Sequence, residues 1–294
     1  MEHAGWILEY IIMIYDCFNF FNELDILEIR FYTLYEVVDK FVIVESNKTH
    51  SGIPKDFNFE NNKDRFKRFL DKVEYIKLTD VPDDFSNLQY TDNKEYNKIV
   101  DFVNTTIAFD KNNQPHYGRD FYQKEAIRFG LTECNDNDII ISSDCDEIIN
   151  PDSIARFEDF DFENRNYSAD QDFYMYYFNV KNLNESPWYG SRVGMYRNLK
   201  NASFNELRAS SLSPISNGGW HFSYMGGANK IKEKIQAYSA QEFNNTSVLE
   251  QIDNNVNNNT DVLFRGHKLK VVQLDSTYPD YVVNNKDKFA NYIK

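Results

Sequence analysis

Three acidic residues follow the clearest apolar segment of the sequence, and their types and spacing suit metal and phosphate chemistry. The isoleucines at 139–141 predict a buried strand, and Asp144, Asp146 and Glu147 come shortly after it. In open α/β sheets, ligands bind beyond the carboxyl ends of the strands. Carboxylates two residues apart in a turn can bind one hard divalent cation, which can in turn hold a diphosphate. The segment therefore makes Asp144 and Asp146 candidate ligands for Mg²⁺ or Mn²⁺.

The D-x-D spacing alone is weak evidence, because the sequence contains it four times. The copies are Asp136/Asp138, Asp144/Asp146, Asp159/Asp161 and Asp170/Asp172. Only the second copy follows a fully apolar strand, so for this copy a metal site and a solvated acidic turn both remain open. A solvated turn is the favoured interpretation of the other three.

Further polar residues are candidates for binding a phosphorylated ligand. Arg119 and Lys124 lie at or near the start of a predicted helix, where cationic side chains and the helix N-terminus both attract anions. A solvated helix face is the simpler interpretation of that pattern alone. Asn22, Glu23 and Glu45 follow the first two predicted strands, so we expect them at the same sheet edge as the D-x-D segment.

The second half of the sequence offers candidates for sugar binding and proton transfer. Trp220 and Tyr224 are aromatic residues that can stack on a sugar ring or a base, and His221 can bind a metal or transfer a proton. A structural role is the alternative for His221. Glu242 and Asp172 are candidate general bases by residue type alone, since no spacing rule selects either one.

The pattern of apolar residues predicts the elements that position these groups. The first half alternates between strands and helices, which predicts a mostly parallel central sheet flanked by helices. Strands are predicted at 10–15, 41–44, 73–78 and 139–141, and helices at 24–38, 92–110 and 119–131. A polar loop is predicted at 16–23, and Asn150 is a possible N-cap before Pro151.

The second half has a different texture and predicts an irregular acceptor-side region. Its predicted elements are a strand at 172–179, irregular chain at 191–225, a basic helix at 228–238, a polar loop at 254–259 and a final helix at 281–293. We interpret residues 1–294 as a single α/β domain, with a nucleotide-binding half at about 8–150 and an acceptor-side half at about 151–294.

Composition narrows the possible partners and compartments. The chain has 46 acidic and 32 basic residues and a net charge of -14, which disfavours binding to nucleic acid. Three separated cysteines suggest neither a zinc site nor a disulfide framework. No segment has the features of a signal peptide or a membrane span, so we expect a soluble, cytoplasmic protein.

Several segments, in order along nearly the whole chain, resemble glycosyltransferase family 17. The matching segments are Ile14–Phe18, Phe21–Asp25, Leu27–Arg30, Phe41–Glu45, Arg119–Asp120, Gln123–Lys124, Ser143–Ile148, Gly219–Ser223, Ser239–Phe243 and Tyr278–Tyr281. The resemblance implies a GT-A-like (Rossmann-like) fold, an inverting mechanism and a nucleotide-sugar donor. The family includes the enzyme that adds bisecting N-acetylglucosamine to N-glycans. The compact chain is more similar to bacterial or viral members than to membrane-anchored ones.

The combined hypothesis is a metal-dependent inverting glycosyltransferase that moves N-acetylglucosamine from a UDP-sugar to a glycan hydroxyl. Mn²⁺ or Mg²⁺ is the expected cofactor. The candidate donor-binding residues are Asn22, Glu23, Glu45, Arg119, Lys124 and Asp144; the acceptor-binding residues are Trp220 and Tyr224; the metal ligands are Asp144, Asp146 and His221; the bases are Glu242 or Asp172. A non-catalytic carbohydrate-binding protein and a glycoside hydrolase built on two carboxylates are the alternatives.

Overall fold

The structure, a computed structural model, describes residues 12–294. Its strands are β1 Ile14–Asn19, β2 Lys40–Ser46, β3 Val73–Leu78, β4 Ile139–Asp144, β5 Glu147–Ile149, β6 Tyr167–Met175, β7 Val180–Asn182, β8 Trp188–Met195, β9 Ser213–Ser223 and β10 Leu269–Val271. Its α-helices are α1 Leu24–Leu34, α2 Asn58–Asn61, α3 Lys94–Thr105, α4 Pro115–Glu125, α5 Pro151–Ile154, α6 Tyr196–Leu199, α7 Phe204–Ala209, α8 Gly227–Ala237, α9 Thr246–Asn257 and α10 Asp280–Asn284. Short 3₁₀ segments cover Lys63–Lys72, Ala126–Gly130, Phe157–Asp159, Gln241–Phe243 and Ala290–Tyr292.

One mixed sheet runs through both halves of the chain, in the order β10-β7-β6-β8-β4-β1-β2-β3. The strands β3, β2, β1 and β4 are parallel, whereas β8 runs antiparallel to β4 and joins the second half to the sheet. β9 pairs with β6 and β5 beside this main path. The predicted α/β class, with a large central sheet flanked by helices, is confirmed.

Alternate residues of the parallel strands enter two apolar clusters on opposite faces of the sheet. Ile139 and Ile141 pack in one cluster with α1, while Ile140 packs in the other with α3 and α4. This follows from the period of two residues in a strand. Because both faces are covered, the strands can be apolar throughout, which is why residues 139–141 gave such a clear signal.

The first half matches most of the predicted elements. The strands predicted at 41–44, 73–78 and 139–141 are all present. The first strand lies at Ile14–Asn19, so part of the predicted loop at 16–23 is strand, and residues 10 and 11 lie outside the described residues. The loop prediction was wrong at Asp16 because this buried carboxylate pairs with Arg30 inside the sheet-helix layer. Asn150 caps α5 as predicted, since its side chain accepts a hydrogen bond from Asp152 N–H at 3.0 Å.

The second half is more regular than predicted. The irregular stretch expected at 191–225 is wrong, because β8, α6, α7 and the eleven-residue β9 together occupy most of it. The glycines of β9 led to its prediction as irregular chain. At Gly219, where φ is +128°, a Cβ atom would lie 2.1 Å from the carbonyl oxygen of Ile148 on β5. Glycine thus permits close strand pairing here rather than marking a loop. The loop predicted at 254–259 is helical as far as Asn257, and the helix predicted at 281–293 divides into α10 and a 3₁₀ turn.

The C-terminal segment is attached to α1 by charged and phenolic groups. Glu28 accepts hydrogen bonds from the Tyr281 hydroxyl and the Lys288 ammonium, and Asp25 accepts one from the Tyr292 hydroxyl. Burial acts to raise the pKa of Glu28, but its hydrogen bonds outweigh burial and the pKa is lowered. The pKa of Asp25 is also lowered, with Tyr292 opposing the effect of burial.

We expect mild acid to release this segment. A carboxylate with a lowered folded-state pKa stabilises above its unfolded pKa, and that contribution is lost as the pH falls through the folded value. For Glu28 the loss therefore begins below its ordinary pKa of 4.5. Hydrogen exchange of residues 280–294, normalised to α3, should therefore accelerate only as the pH falls below 4.5. Glu28→Gln should show the same acceleration already at pH 7. Wild-type protection that is equal above and below pH 4.5 would contradict this account.

Candidate active site

A cavity of about 390 Å³ opens where β1 and β4 end. Asn19 and Asp144, the last residues of these strands, are paired in the sheet and both line the cavity. The volume is in the range of small-molecule sites. Six of the sequence-predicted site residues line it: Glu23, Lys124, Asp144, Asp146, His221 and Tyr224.

The turn that carries the D-x-D segment is held by a buried arginine from α1. The guanidinium of Arg30 donates to both carboxylate oxygens of Asp16, at 2.7 and 2.5 Å. Its Nη1 donates to the backbone carbonyls of Asp144, Cys145 and Glu147 at 3.1, 3.1 and 2.9 Å. Arg30 therefore satisfies three carbonyls of a turn whose side chains face the cavity.

Asp144 and Glu147 share one cation. Arg208, from α7, lies 3.0 Å from Asp144 and 2.5 Å from the fully buried Glu147, and Lys124 lies 3.3 Å from Asp144. Burial acts to raise the pKa of Asp144, but Arg208 and Lys124 outweigh it and hold the pKa far below its usual range. Asp144 is therefore ionised at neutral pH.

Asp146 has its own cation and lies beside a histidine. Lys234 of α8 donates to its carboxylate at 2.8 Å, and Nε2 of His221 lies 3.7 Å from it. Lys234 and His221 lower the pKa of Asp146 against the effect of burial. For His221, in contrast, burial itself lowers the pKa. Its imidazole is therefore neutral at pH 7 and can bind a metal.

An aromatic wall surrounds His221. Its ring stacks on Phe173 with centroids 4.4 Å apart and lies 4.9 Å from the ring of Trp188. The indole N–H of Trp188 donates to Glu147 at 2.7 Å, which fixes the ring in place. All three rings line the cavity.

Some cavity-lining polar atoms have no protein partner. The side-chain amide of Asn19, Nε2 of Gln123 and Nδ1 of His221 are buried and make no hydrogen bond within residues 12–294. Buried polar groups are normally paired, so such atoms call for an explanation. Asn19 and Gln123 both line the cavity, where a bound ligand can supply the missing partners.

Three predicted donor-binding residues are positioned away from the cavity lining. Asn22 lines a smaller neighbouring pocket. Glu45 is fully buried, and its carboxylate accepts four hydrogen bonds, from Lys55 Nζ, the backbone N–H groups of Asn58 and Phe59, and the Tyr75 hydroxyl. Arg119 binds Asp83 at 2.9 Å and the carbonyl of His50 at 2.9 Å, so it supports a loop that lines the cavity.

The predicted acceptor-binding Trp220 and both candidate bases are also outside the cavity lining. Trp220 packs in the core, and its indole N–H donates to the carbonyl of Thr277 at 2.9 Å. Its neighbour His221 faces the cavity, so Trp220 must face the opposite side of β9. Asp172 pairs with Lys181 at 2.6 Å, and Glu242 is exposed and accepts a hydrogen bond from the Tyr117 hydroxyl at 3.1 Å.

Sequence reasoning missed several residues that the fold brings to the cavity. Arg208, Lys234, Trp188 and Asp120 line it together with the predicted residues. A weak signal existed for Lys234, because it belongs to the basic helix predicted at 228–238. Arg208 and Trp188 belong to segments with no distinguishing local pattern.

Comparison with known families decides the assignment. The family model for glycosyltransferase family 17 matches residues 2–99 and 83–270, which together make up most of the chain. The chain belongs to glycosyltransferase family 17. It is a glycosyltransferase, and the resemblance seen in its sequence segments is confirmed. No curated protein matches the chain at a significant level.

Family membership implies a sugar donor and an acceptor for this glycosyltransferase. In the part of the chain from residue 12 onward, no helix is both long and apolar enough to cross a membrane. The same residues contain no group of three His, Cys, Asp or Glu side chains arranged to hold a metal ion.

Proposed function

We propose that this glycosyltransferase is metal-dependent and inverting, and that it moves N-acetylglucosamine from a UDP-sugar to a glycan hydroxyl. The observation that carries the proposal is the group of ionised carboxylates and cations in one cavity at the strand ends. Asp144 and Asp146 lie there beside Lys124, Arg208 and Lys234. A site of this kind suits a ligand with several negative charges, delivered with or without a cation.

The donor diphosphate suits the position between the two aspartates and the three cations. Lys and Arg side chains bind phosphate oxygens, and here they already lie within 3.3 Å of carboxylates that a divalent cation would neutralise. The free polar atoms of Asn19 and Gln123 can bind neutral parts of the donor. These contacts would orient the sugar carbon toward the open side of the cavity.

The side chains available as metal ligands fit a hard divalent cation. Asp144 and Asp146 are ionised, and the neutral His221 lies beside Asp146. Two or three protein ligands leave positions for diphosphate oxygens, which is consistent with the lack of a complete protein cage within residues 12–294. A bound Mn²⁺ or Mg²⁺ would stabilise the charge that develops on the leaving diphosphate.

The aromatic wall suits the sugar. Phe173, Trp188 and His221 present ring faces and edges in the cavity, and the hydroxyl of Tyr224 adds a polar group. Trp188 thus takes the place that the sequence assigned to Trp220. The assignment of N-acetylglucosamine and of inversion derives from the family resemblance, and inversion requires one in-line attack by an acceptor hydroxyl.

A donor screen tests the proposal. The protein is incubated with UDP-N-acetylglucosamine and a panel of other nucleotide-sugars, with Mn²⁺ or Mg²⁺ or EDTA, and nucleoside diphosphate release is measured. No acceptor is needed, because hydrolysis by water releases the nucleoside diphosphate by the same course as transfer. We expect release from UDP-N-acetylglucosamine only when the metal is present. Equal release with EDTA would overturn the metal dependence, and release from another donor alone would overturn the assigned sugar.

Binding measurements separate transfer from the alternatives. UDP with Mn²⁺ should raise the melting temperature, while free N-acetylglucosamine should leave it unchanged. A shift with free sugars alone would instead favour a carbohydrate-binding protein. Release of sugar from glycans without any nucleotide would favour a hydrolase.

A further inference from the structure

We infer that Glu185 is the general base that deprotonates the acceptor hydroxyl, and that His267 and Asp261 position it. This inference rests on the proposed function. Glu185 lies in the loop between β7 and β8, lines the cavity and keeps 39% of its side chain exposed. It belongs to the half of the chain that also contributes the aromatic wall.

The other carboxylates that line the cavity are paired with Lys or Arg within 4.0 Å. They are Glu23, Asp120, Asp144, Asp146 and Glu147. An ion pair with Lys or Arg stabilises the charged form of each of these carboxylates and so reduces its basicity. A carboxylate of low basicity is a poor proton acceptor. Among the described carboxylates of the cavity, Glu185 alone has no Lys or Arg at such a distance.

The contact that Glu185 does make is with an imidazole. Nε2 of His267 lies 3.1 Å from Oε1 of Glu185, and Nδ1 of His267 lies 3.6 Å from the carboxylate of Asp261. The His267 side chain is 5% exposed and that of Asp261 is 3% exposed. Nη2 of Arg265 lies 3.5 Å from the same Nδ1, and Nε of Arg265 lies 3.7 Å from Asp261. This pair holds the nearly buried ring from one side, so Nε2 on the other side fixes the direction of the Glu185 carboxylate. Oε2 of Glu185 stays available to a substrate.

Both ends of this arrangement are anchored to the fold. The side-chain oxygen of the fully buried Asn182 accepts a hydrogen bond from the backbone N–H of Glu185 at 3.3 Å. Asp261 accepts the backbone N–H groups of Leu263 and Arg265 at 3.0 and 2.6 Å. The two segments are joined by a hydrogen bond from Leu183 N–H to the carbonyl of Lys268 at 2.9 Å. The group is therefore built into the fold rather than carried on a free loop.

The position of Glu185 relative to the aromatic wall fits a base that acts on the acceptor. Trp188 follows Glu185 by three residues and lines the same cavity, and Phe173 lies 6.5 Å from the His267 ring and 4.4 Å from the His221 ring. Glu185 thus borders the aromatic wall, while Asp144 and Asp146 bind the diphosphate end of the donor. An acceptor hydroxyl entering beside the wall can approach the sugar carbon from the side away from the leaving group.

The reaction balances as a single displacement. The acceptor oxygen forms a bond to C1 of the donor sugar while the bond from C1 to the phosphate oxygen breaks. The electron pair of that bond leaves with the nucleoside diphosphate. The acceptor proton passes to Oε2 of Glu185.

Azide provides a test that separates a base from a structural residue, because azide attacks C1 without releasing a proton. With UDP-N-acetylglucosamine, or the donor identified in the screen, Glu185→Ala should reduce release of nucleoside diphosphate by about 10²–10⁴-fold when water is the nucleophile. Sodium azide should restore the release and give a β-glycosyl azide. The isosteric Glu185→Gln should show the same loss with water.

The controls separate failure of the base from failure of the proposed function. The affinity for UDP with Mn²⁺ and the melting temperature should match the wild type in both variants. Glu233→Gln, an exposed glutamate paired with Lys230 at 3.0 Å outside the cavity lining, should keep full activity. If the wild type is active and Glu185→Gln is equally active, Glu185 is not the base. The same conclusion follows if azide does not restore the activity that the variant loses. Both results leave the proposed function standing. A wild-type protein that releases no nucleotide overturns both.

His267 is tested as a positioning residue by the same comparison. His267→Ala should slow attack by water about tenfold or more, while the azide reaction proceeds as in the wild type. A merely structural role would slow both reactions together, and that result would overturn the role assigned to His267.

Discussion

Turnover of the nucleotide-sugar should fall about a hundredfold or more when either Asp144 or Asp146 is replaced by Asn, because each replacement removes a charged ligand of the proposed cation. The loss should appear as nucleoside diphosphate release at saturating Mn²⁺. Raising the Mn²⁺ concentration should recover part of the rate in each single variant and none of it in the double variant. Undiminished turnover would remove these residues from the metal site.

Binding without metal gives this prediction a sharper readout. Asp144 pairs with Lys124 and Arg208, so Asp144→Asn removes one negative charge beside them and leaves Lys124 only with Asp120 and Arg208 only with Glu147. We expect UDP binding in EDTA to be kept or strengthened in Asp144→Asn, while the additional affinity that Mn²⁺ gives the wild type disappears. Loss of UDP binding under both conditions would indicate that the substitution disturbs the cavity rather than the metal.

Another D-x-D copy supplies the matched control. Asp159 and Asp161 have the same spacing but are exposed, and Asp161 lies 3.8 Å from Arg165 on the surface. Asp159→Asn/Asp161→Asn should leave turnover, UDP binding and melting temperature unchanged. The comparison shows whether the effect depends on the position at the end of β4 or on the motif itself.

The sequence predicted the D-x-D site because its signal is local. An apolar strand buried on both faces reads as a continuous hydrophobic run, and the residues after it lie at the carboxyl edge of a parallel sheet. Lys124 and His221 also proved to line the cavity. Arg208 and Lys234 were not predictable in this way, since they reach Asp144 and Asp146 from 64 and 88 residues away. Only the tertiary fold brings them together.

Trp220 shows a different limit. Successive side chains of a strand point to opposite faces, so Trp220 and His221 cannot both face the cavity. The glycines of residues 191–225 predicted irregular chain, and irregular chain has no such alternation of side chains. Gly219 in fact allows β9 to approach β5 closely. An assignment of β9 as a strand would have identified one face for Trp220 and the other for His221.

Removal of Arg30 should have the largest effect on stability. Both Arg30 and Asp16 are fully buried, and the guanidinium also lies 4.3 Å from the ring of Phe18. Arg30→Met leaves the charge of Asp16 buried without a partner, so the free energy of unfolding should fall by about 3–5 kcal/mol in denaturant titrations. A surface pair is the control: Lys230→Met, which breaks a half-exposed ion pair with Glu233, should cost less than about 1 kcal/mol.

The double variant Arg30→Met/Asp16→Leu distinguishes the two roles of this arginine. Replacing both members of a buried pair by apolar residues of similar volume commonly recovers stability, so the double variant should be more stable than Arg30→Met alone. Activity should not recover with it, because the carbonyls of Asp144, Cys145 and Glu147 still lack the donor that holds the D-x-D turn. Joint recovery of stability and turnover would show that Arg30 serves the fold alone. Stability without turnover would identify it as the residue through which α1 positions the D-x-D turn.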